Sequence, residues 1–141
     1  MKILFAVDGS PQSLSALETL VKSFAYFRDI PALTLLYVHP PLPYKGAVAT
    51  VGRDVVERYY DEETEAALAG AREALTAGGI PFEVDKSVGN PAEEIVKKAE
   101  GGKFQMIAMG TRGHTALANL VMGSVATGVV ARSRVPVLLL K

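Results

Sequence analysis

Ile3-Leu4-Phe5-Ala6-Val7-Asp8-Gly9-Ser10-Pro11 is the stretch whose reading decides the fold. A continuous apolar run suits a strand covered on both faces, as in a parallel sheet. The run stops at a polar turn, where Ser10 is placed to cap a helix whose first position is Pro11. Leu14, Leu17, Leu20, Val21 and Phe24 then recur at helical spacing. The unit is strand, tight turn, helix.

The same alternation runs to the end of the chain. Residues 32–38 (ALTLLYV) read as a second buried strand, followed by a Pro-rich loop that extends to about residue 53. A long helix is expected over 54–77, with Val55, Tyr59, Leu68, Ala71 and Leu75 apolar and Gly78-Gly79 as its stop. Residues 82–88 alternate apolar and polar, the pattern of an edge strand with one wet face. Asn90-Pro91-Ala92-Glu93 has the form of a capping box, opening a helix that ends at Gly101-Gly102. A fourth strand over 104–109, a glycine-bearing segment over 110–124, a helix over 125–132 and a fifth strand over 135–140 follow. Strands and helices alternating through short connections imply right-handed crossovers, hence an α/β fold: a five-stranded open parallel sheet with helices on both faces, Rossmann-like. The 141 residues make a single domain, 1–141. Ligands of such sheets bind beyond the carboxyl ends of the strands, where the strand order reverses. The loops after the first and fourth strands are therefore the ones to read for chemistry.

Composition removes several function classes. With 49% hydrophobic and 21% charged residues the chain can bury a full core. Fifteen Lys and Arg balance fifteen Asp and Glu, so the summed field favours neither a nucleic acid nor an anionic membrane as partner. Cysteine is absent, which excludes a disulfide scaffold, a thiolate metal site and a cysteine nucleophile. The first apolar run is too short for a signal peptide or a membrane span, and the expectation is a cytoplasmic protein. Neither His39 nor His114 has a ligand-type residue at metal spacing beside it, so no protein-held metal site is expected. Tyr59 and Tyr60, next to Asp61-Glu62-Glu63, read as a half-buried helix face.

The fourth strand runs into GTRGHTALANLVMGS, residues 110–124, with its glycines in the pattern G-x2-G-x9-G-S. Glycine at 110 and 113 lets backbone N–H groups turn toward an anion without interference from a Cβ. Gly123-Ser124 then opens the next helix, so unpaired N–H groups, the positive end of the helix dipole and the Ser124 hydroxyl can all face a phosphate. Arg112 and His114 stand between the glycines and add charge. The same glycines also suit plain turns, and Ser124 a plain cap. Asp8 likewise reads either as a turn and capping residue or as an acceptor for a ribose hydroxyl; a carboxylate repels a triphosphate, which puts it at the nucleoside end. Gly102-Lys103 is followed by Phe104 and precedes a strand, so it is not a P-loop, and the first turn lacks the G-x-G-x-x-G of a dinucleotide fold.

ILFAVDGS at the start, LLYVHP at the end of the second strand, SVGNPAEEIV at 87–96, GTRGHTALANLVMGSVA at 110–126 and VPVLLLK at the end together resemble the universal stress protein family along nearly the whole chain. The retained glycine spacing with its serine resembles the nucleotide-binding branch of that family. The resemblance implies a strand order 3-2-1-4-5 and ATP, with Mg2+, as ligand. It implies triphosphate and ribose contacts from Gly110, Thr111, Arg112, Gly113, His114, Thr115 and Ala116, and from Gly123, Ser124, Val125 and Ala126. Adenine would lie on the backbone of Val38, with Ala6 and Asp8 lining the floor.

On this reading the protein is an ATP-binding regulatory module that changes its contacts with another protein. The alternatives are a slow ATPase or ATP-dependent transferase using the same pocket, and an interaction protein whose glycine loop is structural. Phosphoryl transfer needs a positioned base near the γ-phosphate, and the motif offers none. A homodimer through the fifth strand is also expected, because 137–140 is apolar on both faces at a sheet edge.

Overall fold

The structure, a computed structural model, describes residues 1–42, 45–113 and 122–141. Its elements are β1 (Lys2–Val7), α1 (Pro11–Ser23, followed by a 3-10 turn, Phe24–Tyr26), β2 (Ala32–His39), α2 (Lys45–Val51) and α3 (Arg53–Ala77). Then come β3 (Phe82–Val88), α4 (Pro91–Gly101), β4 (Met106–Gly110), α5 (Ser124–Arg132) and β5 (Val137–Leu140). The strands form one sheet in the order β3-β2-β1-β4-β5, and every neighbouring pair is parallel. This is the expected fold. The chain steps from β1 outward to β2 and β3, then crosses back to β4 on the other side of β1, so the order reverses between β1 and β4.

Both faces of the sheet are covered, which is why its central strands read as unbroken apolar runs. On one face Ile3, Phe5, Val7, Leu33 and Leu35 pack against Ala16, Leu17 and Leu20 of α1 and Leu68, Ala71 and Leu75 of α3. On the other, Leu4, Leu36, Val38, Ile107 and Met109 pack against Ala92, Ile95, Val96 and Ala99 of α4 and Ala126 and Val129 of α5. Two caps start helices where the sequence placed them. The Ser10 hydroxyl accepts the Ser13 N–H at 3.1 Å, and Asn90 Oδ1 accepts the Glu93 N–H at 3.2 Å.

Beyond shifts of a single residue, three features differ from the sequence reading. The stretch after β2 contains a short helix, α2, joined to α3 through Gly52, whose φ of 88 is a conformation glycine adopts without strain. β4 begins at Met106 rather than residue 104. The Phe104 N–H bonds back to Ala99 O at 3.0 Å, so Phe104 closes the end of α4 instead of joining the strand. β5 begins at Val137 rather than 135, because the Val135 N–H is taken by Ser133 Oγ at 3.0 Å and Pro136 has no N–H to give.

Candidate functional site

A cleft of about 390 Å³ opens over the carboxyl ends of β1, β2 and β4, where the strand order reverses. That volume lies in the range of small-molecule sites. Ala6 and Asp8 reach it from β1 and its turn, Val38 from β2, and Val125 and Ala126 from the first turn of α5. Gly110, Thr111, Arg112 and Gly113 enter from the end of β4, and Gly123 and Ser124 from the start of α5. His114, Thr115 and Ala116, also expected in the site, lie outside the described residues.

The glycines of this loop have no unusual dihedrals, and at Gly110 and Gly113 what they give is space. The positive-φ glycines of the described chain are Gly9, Gly52, Gly79 and Gly89, none of them in this loop. A Cβ on Gly110 would sit tightly, 3.3 Å from Arg112 O, whereas one on Gly123 would make ordinary contact, 3.4 Å from Thr111 O. The loop closes on itself through a Gly123 N–H to Thr111 O bond of 2.6 Å, and Thr111 N–H is held by Leu140 O at 2.9 Å. These bonds bring the two ends of the glycine segment side by side.

Of the two roles open to Asp8 in the sequence, the structure shows the one in the turn. Its Oδ1 accepts the Ser10 N–H at 2.8 Å and the Ser10 hydroxyl at 2.6 Å, which fixes the turn into α1. Its Oδ2 lies against Gly113, where a Cβ would collide with it. The carboxylate thus also touches the first part of the glycine loop.

The cleft has two chemically distinct sides. In any α-helix the first N–H groups have no partner within the helix and carry the positive end of its dipole; here those of Ser124, Val125 and Ala126 belong to cleft residues. Gly123, whose carbonyl accepts both the Thr127 N–H at 3.0 Å and the Thr127 hydroxyl at 2.9 Å, starts this turn. The exposed Arg112 adds a cation. Facing this donor side are Leu36, Pro40, Pro91, Ile95 and Met109, an apolar wall that the sequence reading missed. Ile95 and Met109 carried only the signature of core residues, and both are indeed part of the core on the α4 side. Tyr37 and Ser13 also reach the cleft. Burial holds the Tyr37 phenol above its usual range, and Glu63, Tyr59 and Asp8 push the same way, so Tyr37 is a neutral hydroxyl at physiological pH. Such an arrangement suits a ligand with an anionic end and a flat apolar end.

The profile of the Universal stress protein family matches residues 1–141. A universal stress protein from Thermus aquaticus is 33% identical over 140 residues, covering 99% of this chain and 97% of its own. The solved structure of protein MJ0577 of Methanocaldococcus jannaschii superposes with a TM-score of 0.79 at 30% identity, covering 99% of this chain and 94% of that one. A universal stress protein solved in complex with cAMP superposes with a TM-score of 0.71 at 26% identity, covering 100% and 97%.

Proposed function

The chain belongs to the universal stress protein family, and from that premise we propose that it is a regulatory module that binds ATP in the cleft at the strand-order reversal. The observation that carries this reading is the meeting, in one cleft of about 390 Å³, of a donor side made by the glycine loop and the first turn of α5 with an apolar wall. A relative that binds cAMP on the same fold supports an adenine nucleotide as the ligand class. The phosphates and ribose take Gly110, Thr111, Arg112, Gly113, Gly123, Ser124, Val125 and Ala126, together with His114, Thr115 and Ala116. The base rests on the Val38 backbone over Ala6, and Asp8 accepts a ribose hydroxyl. Among the described residues no three His, Asp or Glu cluster as a metal site, so Mg2+ would enter held by the phosphates.

The reading is regulatory rather than enzymatic because phosphoryl transfer needs a positioned base beside the γ-phosphate, the glycine motif offers none, and Asp8 is assigned to the ribose. A homodimer through β5 and a protein partner responsive to the bound nucleotide complete the proposal. Acid extraction of the purified protein, with identification of what is released, tests it together with calorimetry against ATP, ADP and AMP. Release of an adenine nucleotide and binding in the micromolar to millimolar range are the expected results. No nucleotide released and no binding at millimolar ATP would overturn the reading.

A further inference from the structure

β2 ends on a histidine whose two chain neighbours, Val38 and Pro40, both line the cleft. His39 itself is 3% exposed and turns the other way, onto α3. Its ring centroid lies 4.5 Å from that of Tyr37, edge-on, and 4.8 Å from that of Tyr60. His39 Nε2 lies 2.7 Å from Thr64 Oγ1, and that hydroxyl gives its proton to Tyr60 O at 2.7 Å. A hydroxyl has one proton, so Thr64 accepts here and His39 donates from Nε2. The His39 carbonyl meanwhile accepts the Gly89 N–H at 2.8 Å, which ties the turn before α4, and α4 supplies Pro91 and Ile95 to the cleft. One residue thus joins α3, the end of β2 and the start of α4 behind the wall on which a base would rest.

We propose that His39 is a positioning residue: its ring, set between Tyr37 and Tyr60 and donating to Thr64, holds the 38–40 wall in the geometry that nucleotide binding needs. A charge on the ring keeps the Thr64 bond but is buried among the two aromatic rings, and it loosens that hold. The link to nucleotide affinity rests on the ATP-binding reading above; the anchoring of the wall does not.

The groups facing His39 are Tyr37 on its own strand, Lys86 on β3, and Tyr60, Asp61 and Glu63 on α3, with the Tyr59 ring against that of Tyr60. Burial pushes the imidazole below its usual 6.5 and Lys86 adds to this, against the opposite pull of Glu63, the Tyr60 carbonyl and Asp61. Lys86 is itself bonded to Asp61, so these two opposite charges offset each other. A group whose folded pKa is depressed and which is basic contributes fully above its unfolded pKa, and the contribution is lost as pH falls through the folded value. Binding should therefore weaken on the acid side of 6.5.

The experiment compares wild type, His39→Gln, His39→Ala and Thr64→Val, each checked for a cooperative unfolding transition. ATP affinity is measured by calorimetry from pH 8 to pH 5, and amide chemical shifts of Val38 and Gly89 are followed by NMR over the same range without nucleotide. Gln keeps an N–H donor near the Nε2 position and cannot titrate, so His39→Gln should bind like wild type at pH 8 and show the flatter acid profile. Titration of the ATP phosphates is common to both proteins and cancels in that comparison. Thr64→Val and His39→Ala should bind about tenfold more weakly at pH 8, the usual scale of such coupling. In wild type the Val38 and Gly89 amides should shift with the His39 titration, and in His39→Gln they should not. Identical acid profiles for wild type and His39→Gln, or stationary Val38 and Gly89 signals, would overturn the proposal. Amide shifts that track His39 in a protein that binds no ATP would keep the anchor and overturn the nucleotide reading alone.

Discussion

The Oδ2 atom of Asp8 occupies the place that a Cβ of Gly113 would need. The turn after β1 and the loop after β4 are therefore locked edge to edge at the point where the strand order reverses. Gly113→Ala should force one of them to move and cost about 1–3 kcal/mol of stability, the usual cost of overpacking. In an Asp8→Ala background the same change should cost far less, since the clashing oxygen is gone. Urea unfolding of the four proteins measures this coupling, and strictly additive costs would mean that the two loops adjust independently. ATP affinity should fall in Gly113→Ala as well, because the loop backbone is displaced from the cleft.

Ser10 is 2% exposed and its hydroxyl works in both directions, accepting from Ser13 N and donating to Asp8 Oδ1. Ser10→Ala removes a helix cap and one of the bonds that orient Asp8. The expected loss is about 1–2 kcal/mol in chemical unfolding, toward the upper end of measured caps. Asp8→Ala should make Ser10→Ala cheaper, because only the cap is then lost.

Hydrolysis of ATP should be slow, about one turnover per minute or less, well under the ordinary enzyme range. The reason is that the glycine motif offers no base beside the γ-phosphate, with Asp8 assigned to the ribose. A steady rate near one per second that vanished in Asp8→Asn would make the protein an enzyme.

How far the sequence reached follows from the range of the signals. The β1 run, the Ser10 and Asn90 caps and the strand–helix alternation are local, and the observed elements match them. α2 went unread because KGAVATV, residues 45–51, is small and weakly patterned and is followed by Gly52. The glycine segment was legible as a motif, but its contact with Asp8 joins positions far apart and leaves no mark in either neighbourhood. Ile95 and Met109 were hidden for a different reason: a residue that lines an apolar wall and one that fills a core follow the same periodicity. His39 likewise depends on Tyr60 and Thr64, whose spacing along α3 brings them over the end of β2 only once the helix is packed.

The last expectation concerns β5, which lies at the edge of the sheet. Leu138 and Leu140 pack toward the α1 side and Val137 and Leu139 toward the α4 and α5 side, so a charge at Leu138 would damage the protomer's own core rather than report on association. The backbone gives a cleaner probe. Ile107 N–H bonds to Pro136 O and Thr111 N–H to Leu140 O, both at 2.9 Å, so residues 136, 138 and 140 turn their peptide groups toward β4. Residues in a strand alternate in this respect, which leaves Val137 and Leu139 directing N–H and C=O to the open edge. An apolar edge of this kind is a template for pairing, and antiparallel pairing of two copies about a two-fold axis protects both edges at once. Leu139→Pro deletes an outward donor while remaining at a position where an edge strand tolerates proline. By light scattering at tens of micromolar the wild type should be a dimer and Leu139→Pro a folded monomer. Glu65→Lys should stay dimeric, losing only the exposed pair with Arg72, about 0.2–1 kcal/mol. A monomeric wild type, or a Leu139→Pro variant that still dimerises, would rule out the β5 edge as the interface.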